Sequence, residues 1–450
     1  MSVFAAKADR ANQIVGGADQ PVSRHAWIGL SMLFVVALFN YIDRSIISIL
    51  QVPLKTDLNL SDTQMGALTG LSFALLYTTM ALPVARLADT VNRKRLIAAA
   101  LAIWSAATAC CGLANNFATL VAFRMGVAFG EAGCVPASHS MIADYFPLKQ
   151  RGTALALWGL SSPLGIMLGF GAGGWLVTAM SWREAFLIFG IAGLVLAPFI
   201  LLVREPKRGQ FDQHVVADGE TMESAVAAQE ALDAKVPLRA ALATLWNSKA
   251  FRYLALAGAT HAFVQFTAHN WNAPFYVRVH QMPIGEVAFY LAVAFGLAGA
   301  VGQFAGGMLI DRLGRKDKRW YMWVPALSSL LLAPVSLAQY FAPSAQVSMA
   351  IGLVAAVLIQ AYFAPIVATA QLLVLPRMRA FTSAMLVLIV NILGLGFGPL
   401  ITGAISDLLT PTFGQEALRY AMSSTLFMAV IAGLLFARSA HHLRKELAAG

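Results

Sequence analysis

The chain is 450 residues long, 58% of them hydrophobic and only 12% charged, with a formal net charge of +10. Soluble domains carry roughly 25% charged residues, so this composition excludes a globule that keeps its apolar surface from water and puts the chain in a bilayer. The basic balance would suit a nucleic-acid binder, but its placement along the chain argues against one.

Apolar runs of about 20 residues, the length that crosses a hydrocarbon core, fall at roughly 27–54, 61–88, 96–114, 117–141, 153–179, 184–203, 252–276, 284–310, 319–341, 346–374, 381–406 and 417–438. None of them alternates polar and apolar residues as a barrel strand would, and a lone strand cannot satisfy its backbone in lipid. The expected fold is all-α and integral to the membrane, with twelve transmembrane helices. One long polar interruption divides them into two pseudo-symmetric six-helix bundles. The expected order is an N-terminal tail (1–24), a first bundle (25–203), a linker (204–249) with a surface helix around Met222–Ala234, a second bundle (250–438) and a C-terminal tail (439–450).

Of the 32 Lys and Arg, only Lys55, Arg183, Arg278 and Arg419 fall on one side of this topology, while Arg44 and Arg124 lie within spans. Positive charge stays in the cytoplasm. Both termini and the linker are therefore expected there, in a multi-pass protein of the inner (plasma) membrane. The first 24 residues lack the apolar core of a signal peptide. Cys110, Cys111 and Cys134 lie in spans without disulfide or metal-ligand spacing, and no nucleophile–base pair or phosphate loop is evident. Neither an enzyme, a metal, a cofactor nor a nucleic-acid partner is expected.

The chemistry sits where charge is expensive. Asn40-Tyr41-Ile42-Asp43-Arg44 lies inside the first span, and Arg124 and Glu131 lie inside the fourth. Each ionised side chain near the bilayer centre costs about 2.5–3.5 kcal/mol on insertion scales. Four unpaired charges would cost on the order of 10 kcal/mol, comparable with a whole domain's stability. Two acids and two arginines must therefore compensate one another. Arg124 and Glu131 share a helix face but stand about 10 Å apart along its axis, and Asp43 and Arg44 point about 100° apart. The economical arrangement brings Arg44 or Asp43 across to the fourth span. Arginine keeps its proton, whereas a desolvated carboxylate can gain one. Asp43 and Glu131 are thus the candidate proton carriers, with Arg44 and Arg124 as charge partners; the competing reading is a static polar clamp joining two helices.

Glycines gather in two later spans: Gly165, Gly169 and Gly173 in the fifth, and Gly394, Gly396 and Gly398 before Pro399 in the eleventh. Small residues let helices approach closely in lipid, and adjacent Gly and Pro also permit bending. A repeated phrase ties the halves together. Ala85-Arg86-Leu87-Ala88-Asp89-Thr90-Val91-Asn92-Arg93-Lys94 returns half a chain later as Gly307-Met308-Leu309-Ile310-Asp311-Arg312-Leu313-Gly314-Arg315-Lys316, and Pro147 and Arg151 are echoed by Pro376 and Arg379. Such a repeat marks two copies of one unit in the same orientation. The offset of the second echo sets Gln360 against Glu131.

The pattern G-x-L-x-D-R-x-G-R-K, complete at Gly307–Lys316, resembles the signature loop of the major facilitator superfamily; the first copy departs from it at Ala85, Thr90 and Asn92. Asn40–Arg44, Arg124–Ala132 and Met141-Ile142-Ala143-Asp144-Tyr145-Phe146-Pro147 resemble the spinster-like branch of that superfamily. This resemblance implies a carrier of amphipathic, lipid-like molecules, with Asp43, Arg44 and Glu131 as the protonation site and protons as the coupling ion. It also implies a central cavity lined by the first, fourth, seventh and tenth helices. The first half would offer Asn40, Tyr41 and Ser138 to that cavity, and the second half His261, Gln265, His269, Asn270, Trp271, Asn272, Gln360, Tyr362 and Gln371. The repeated loops are expected to latch the cytoplasmic end, Asp89 with Arg93 and Arg151, and Asp311, followed by Arg312, with Arg315 and Arg379. These latches would be made when the carrier opens outward and broken when it opens inward. The expected function is a proton-coupled secondary active transporter, monomeric, working by rocker-switch alternating access on a small amphipathic cargo among membrane lipids. Organic anion:cation symporters share N-Y-x-D-R and G-E-A, so a hexuronate-type proton symporter is the alternative, and a non-transporting membrane sensor is a third reading.

Overall fold

The computed structural model describes residues 22–211, 237–375 and 378–449. The surface helix expected at 222–234, Pro376, Arg377 and the side chain of Asp89 lie outside that description, as does most of the N-terminal tail.

Among the described residues the regular structure is entirely helical. The first half comprises α1 (Arg24–Asp57), α2 (Asp62–Gly66, a π segment Ala67–Leu71, then Ser72–Thr90), and α3 (Arg93–Cys111). It continues with α4 (Phe117–Glu131, resuming at Cys134–Tyr145), α5 (Leu148–Gly159, resuming at Ser161–Ala179) and α6 (Trp182–Ile200). A short helix, Leu238–Asn247, precedes α7 (Lys249–Arg278). Then come α8 (Ile284–Leu291, a π segment Ala292–Ala298, Gly299–Leu313) and α9 (Trp320–Tyr340). The chain closes with α10 (Ala345–Gln360, resuming at Phe363–Leu372), α11 (Arg379–Val390, a π segment Asn391–Gly396, Phe397–Phe413) and α12 (Ala417–Ser424, resuming at Phe427–Ala449).

Ten stretches are long and apolar enough to cross a membrane; one of them, Phe381–Leu447, holds both α11 and α12. Helix α7 falls outside the ten because His261, Gln265, His269, Asn270 and Asn272 dilute its hydropathy. The twelve expected spans are all present. Two boundaries differ. Helix α12 runs through the expected C-terminal tail to Ala449, and the helix Leu238–Asn247 lies inside the expected linker. The latter forms because Ala241 and Leu245, one turn apart, bury a common face.

Polar residues write the helix starts. Ser23, Asn92, Asn116, Ser248 and Ser344 each accept a first-turn backbone N–H, and Ser61 and Ser181 make capping boxes with Gln64 and Glu184. The repeat is visible in the backbone as well. Helix α4 breaks immediately after Glu131 and α10 immediately after Gln360, the pair that the repeat offset sets against one another.

The glycine stripe of α5 is a packing surface. A Cβ on Gly165 would stand 2.6 Å from Tyr41 Cβ, and one on Gly169 would stand 2.8 Å from Ser45 Cβ. Nothing larger than hydrogen fits, so α1 lies directly on α5 and the Asn40–Arg44 segment is held in fixed rotation. In α11 the glycines do both things: Gly394 abuts Ala262 of α7, and Gly394 and Gly396 lie in the π segment.

Among the described residues, every hydrogen bond between the two bundles lies in the half opposite the termini, here called the far end. Ser48 and Gln51 of α1 bond Asn270 of α7. Asp62, at the start of α2, accepts from Arg278 Nη1 of α7 at 2.8 and 3.0 Å, from Ser406 of α11 at 2.7 Å, and from Lys55. Asp407 of α11 in turn accepts the backbone N–H groups of Asp62 and Thr63 at 2.9 and 2.7 Å, satisfying the first-turn donors of α2. A Cβ on Gly70 would meet Leu395 O at 2.7 Å, so α2 and α11 touch backbone to backbone. The far end is closed. At the terminal end Asp311, Arg312, Arg315 and Arg379 are exposed and make no ion pair with one another.

Candidate functional site

Helices α1, α3 and α4 bring the four intramembrane charges together as two crossed pairs. Arg44 Nε donates to Glu131 Oε2 at 2.7 Å, and Arg124 Nη1 stands 3.7 Å from Asp43 Oδ2. Arg124 and Glu131, nearly two turns apart on one helix, therefore each find their partner on α1. Both Asp43 and Arg44 cross to α4, where the sequence required only one to do so. Neighbours pointing about 100° apart achieve this because their partners are themselves separated along α4.

The surroundings are dry. Glu131 is 0% exposed, Asp43 5% and Arg124 2%, while the Arg44 side chain keeps 26% of its surface. Aromatic rings take the place of water around the guanidinium groups: Arg44 lies 4.4 Å from the Tyr77 ring centre and 5.0 Å from Phe73, and Arg124 lies 5.4 Å from Phe73. A desolvated contact of this kind is worth about 2 kcal/mol, enough to lower the cost of an arginine whose acid has left it.

Hydrogen bonding at the site is incomplete. Thr108 of α3 donates to Asp43 Oδ1 at 2.9 Å. Asp43 Oδ2, Glu131 Oε1, Arg44 Nη2, Arg124 Nε and Nη1, and Asn40 Nδ2 are all buried without a hydrogen-bond partner in the protein. A structural clamp is usually fully bonded, since each buried polar atom left over costs about 1–3 kcal/mol. Here charge is balanced while hydrogen bonds are not.

The second half answers with neutral groups. Tyr362 donates to Gln265 Oε1 at 2.8 Å, and Gln265 Nε2 donates to Gln360 Oε1 at 2.7 Å. His261 is fastened between Ser329 Oγ and Ile359 O at 2.8 and 2.9 Å, so it joins α7, α9 and α10. His269 sits edge-on between Phe170 of α5 and Phe295 of α8, across the bundle boundary. Asn270 belongs to the far-end contacts with α1. Trp271, expected in the cavity, is fully buried and donates to Pro399 O of α11 at 3.0 Å, a packing position. Ser138 is also buried, near Cys134 one turn before it on α4, and Tyr41 is half-buried against the α5 stripe.

At the terminal end Arg93 is completely buried. Its guanidinium pairs with Asp144, bonds Ser140 Oγ and Pro206 O at 2.9 and 3.0 Å, and approaches Glu205 Oε1 to 3.3 Å. Arg208 caps the end of α2 by donating to Ala88 O and Val91 O, and Arg151 donates to Ala143 O at 2.7 Å.

Sequence reasoning did not single out Thr108, Phe73 and Tyr77 around the charges, Asp144 and Glu205 around Arg93, or Asp62, Arg278 and Asp407 at the far end. Asp62 and Asp407 carried a signal: each is an acid within or at the edge of an apolar run, with a basic residue expected on the same side.

A family model described as Major Facilitator Superfamily matches residues 33–399. A Mycolicibacterium smegmatis protein described as an MFS-type efflux pump is 32% identical over 408 residues, 90% of each chain. The hexuronate transporter of Bacillus subtilis is 26% identical, covering 64% of this chain and 65% of its own. The crystal structure of a bacterial homolog to the human lysosomal transporter Spinster, in an inward-facing and unoccupied conformation, matches with a TM-score of 0.83 at 29% identity. That match covers 95% of this chain and 99% of the other.

Proposed function

This chain belongs to the Major Facilitator Superfamily, and from that premise we propose that it is a proton-coupled carrier of amphipathic, lipid-like cargo whose coupling site is the cluster Asp43, Arg44, Arg124 and Glu131. It is a multi-pass membrane transporter of spinster-like kind. One observation carries the coupling role: the buried cluster is neutral in charge yet leaves Glu131 Oε1 and Asp43 Oδ2 without partners. Each oxygen is a place for a proton, and each acid's arginine sits on the other helix of the pair. A change in how α1 meets α4 alters the company of both acids. A proton can then favour one conformation, since a ligand shifts an equilibrium by its differential affinity for the two states.

The bias of Lys and Arg toward the terminal end makes that end cytoplasmic, so the closed far end describes an inward-facing carrier of the plasma membrane. The unpaired Asp311 and Arg315 fit latches that are broken in that state. A cysteine introduced at Arg239 should react with a membrane-impermeant maleimide only from the cytoplasmic side, and one at Gln281 only from outside; the reverse pattern would overturn the topology.

Tyr41, Phe73 and Tyr77 around Arg44 favour an amphipathic cargo over a sugar acid. A hexuronate-type symporter is the second reading, supported by the partly exposed cation of Arg44 and the hexuronate relative. Purified protein in liposomes, given a pH step, should accumulate a fluorescent lysophospholipid in preference to galacturonate. Accumulation of galacturonate alone would favour the second reading, and equal fluxes with and without the pH step would remove proton coupling.

A further inference from the structure

We infer that the second bundle meets its cargo through a donor of fixed direction, the Gln360 amide N–H2, and therefore requires a hydrogen-bond acceptor oxygen on the cargo. The inference deepens the proposed transport function and rests on the cargo reaching the face shared by α7 and α10.

Tyr362 anchors the donor. It is 1% exposed, and its ring lies 4.0 Å from that of His261, which is itself fastened to α9 and α10. Its hydroxyl donates to Gln265 Oε1. An amide has one acceptor end and one donor end, so fixing Gln265 Oε1 turns its Nε2 toward Gln360, where it donates to Oε1 at 2.7 Å. The relay repeats: with its oxygen taken, Gln360 must present Nε2 outward. That nitrogen has no hydrogen-bond partner in the protein and is not fully buried; it lies on the side of Gly299 of α8.

Position gives the donor its meaning. Gln360 and Glu131 each end the first segment of a broken helix, α10 and α4, at matching points of the repeat. Where the first bundle holds an acid bound to arginine, the second offers a neutral donor that three residues orient. A neutral amide attracts no particular charge, and its N–H2 donates to phosphate ester, carbonyl, hydroxyl or carboxylate oxygen alike. It rejects a group with no lone pair, because a site built to donate is left unpaired by such a cargo.

The test is binding of two single-chain amphiphiles, each with a quaternary ammonium, to purified protein in nanodiscs at fixed pH. Lysophosphatidylcholine carries acceptor oxygens, and hexadecyltrimethylammonium has a chain and a cation but none. Gln360→Glu keeps the length and replaces the donor with a second acceptor. It should weaken lysophosphatidylcholine at least 10-fold without weakening the ammonium probe. Tyr362→Phe, which releases the relay and removes only one hydroxyl, should weaken lysophosphatidylcholine about 3- to 10-fold, again sparing the ammonium probe. Equal loss for both probes, or no loss for lysophosphatidylcholine, would overturn the inference. If wild type binds neither amphiphile but binds galacturonate, the amphipathic reading fails; a 3- to 10-fold loss of galacturonate binding in the uncharged variant Tyr362→Phe would still sustain the donor, and no loss would end it.

Discussion

Glu131→Gln is expected to abolish accumulation of cargo in response to a pH step while leaving cargo binding and counterflow exchange measurable. A pH difference of one unit is worth about 1.4 kcal/mol per proton, so a carrier moving one proton with each cargo concentrates it about 10-fold. The glutamine variant should hold the ratio at one. The substitution keeps the shape of the side chain, and its amide oxygen can still accept from Arg44 Nε, which lies 2.7 Å from Glu131 Oε2 in the wild type. What disappears is the ability to change protonation as α1 and α4 change their contact.

The variant strips Arg44 of its countercharge, and a lone arginine at the bilayer centre costs about 2.5–3.5 kcal/mol. Arg44 is partly exposed and stacked against Tyr77 and Phe73, so the actual penalty is smaller and the protein should still fold. Counterflow in the same liposomes separates a coupling defect from a dead protein. If Glu131→Gln still concentrates cargo 10-fold per pH unit, Glu131 is a clamp and Asp43, held by Thr108 and Arg124, becomes the coupling residue to test by Asp43→Asn.

The parts of this structure that sequence made legible are those set by one-dimensional rules. Hydropathy located the helices because lipid demands about 20 apolar residues wherever the chain crosses, and the repeated Asp89 and Asp311 loops disclosed the two halves. Even α7, diluted by His261, Gln265, His269, Asn270 and Asn272, is legible as the apolar run 252–276. The four charges could be named because their cost forces pairing, but the choice of Arg44 for Glu131 and Arg124 for Asp43 depends on helix rotation. That rotation is set by Gly165 and Gly169 pressing α5 against Tyr41 and Ser45, a contact between segments some 120 residues apart in sequence. The partners of Arg93 depend on tertiary structure in the same way: the fold brings it Asp144 from the end of α4 and Glu205 from the segment after α6, while the side chain of Asp89, its expected partner, lies outside the described residues. Trp271, which the resemblance sets toward a central cavity, is fully buried and faces Pro399 of α11. The π segments of α2, α8 and α11 left no sequence mark beyond their glycines.

Asp62→Asn should swing the carrier from inward-facing toward outward-facing. Asp62 is 2% exposed and serves both bundles at once: Lys55 from its own half, and Arg278 and Ser406 from the other. Removing one partner from a buried ion pair costs about 3–5 kcal/mol because the remaining charge is stranded. Arg278 and Lys55 retain 18% and 29% of their side-chain surface, which lets water soften the loss. An effect of about 2 kcal/mol specific to the closed far end would shift the ratio of the two states roughly 30-fold. The outward-facing state escapes the penalty, because separating α2 from α7 and α11 returns both cations to water. Nitroxides at Thr56 and Leu408, exposed on the two bundles at the far end, should then report a longer distance in a double electron–electron resonance measurement. A second pair at Gln150 and Lys316 should report a shorter one at the terminal end. Arg278→Gln should move the populations in the same direction, and the double variant should add little to either single change, since both remove one contact. Unchanged distance distributions in Asp62→Asn would mean that the glycine-lined contact of α2 with α11, and not the ion pair, holds the far end shut.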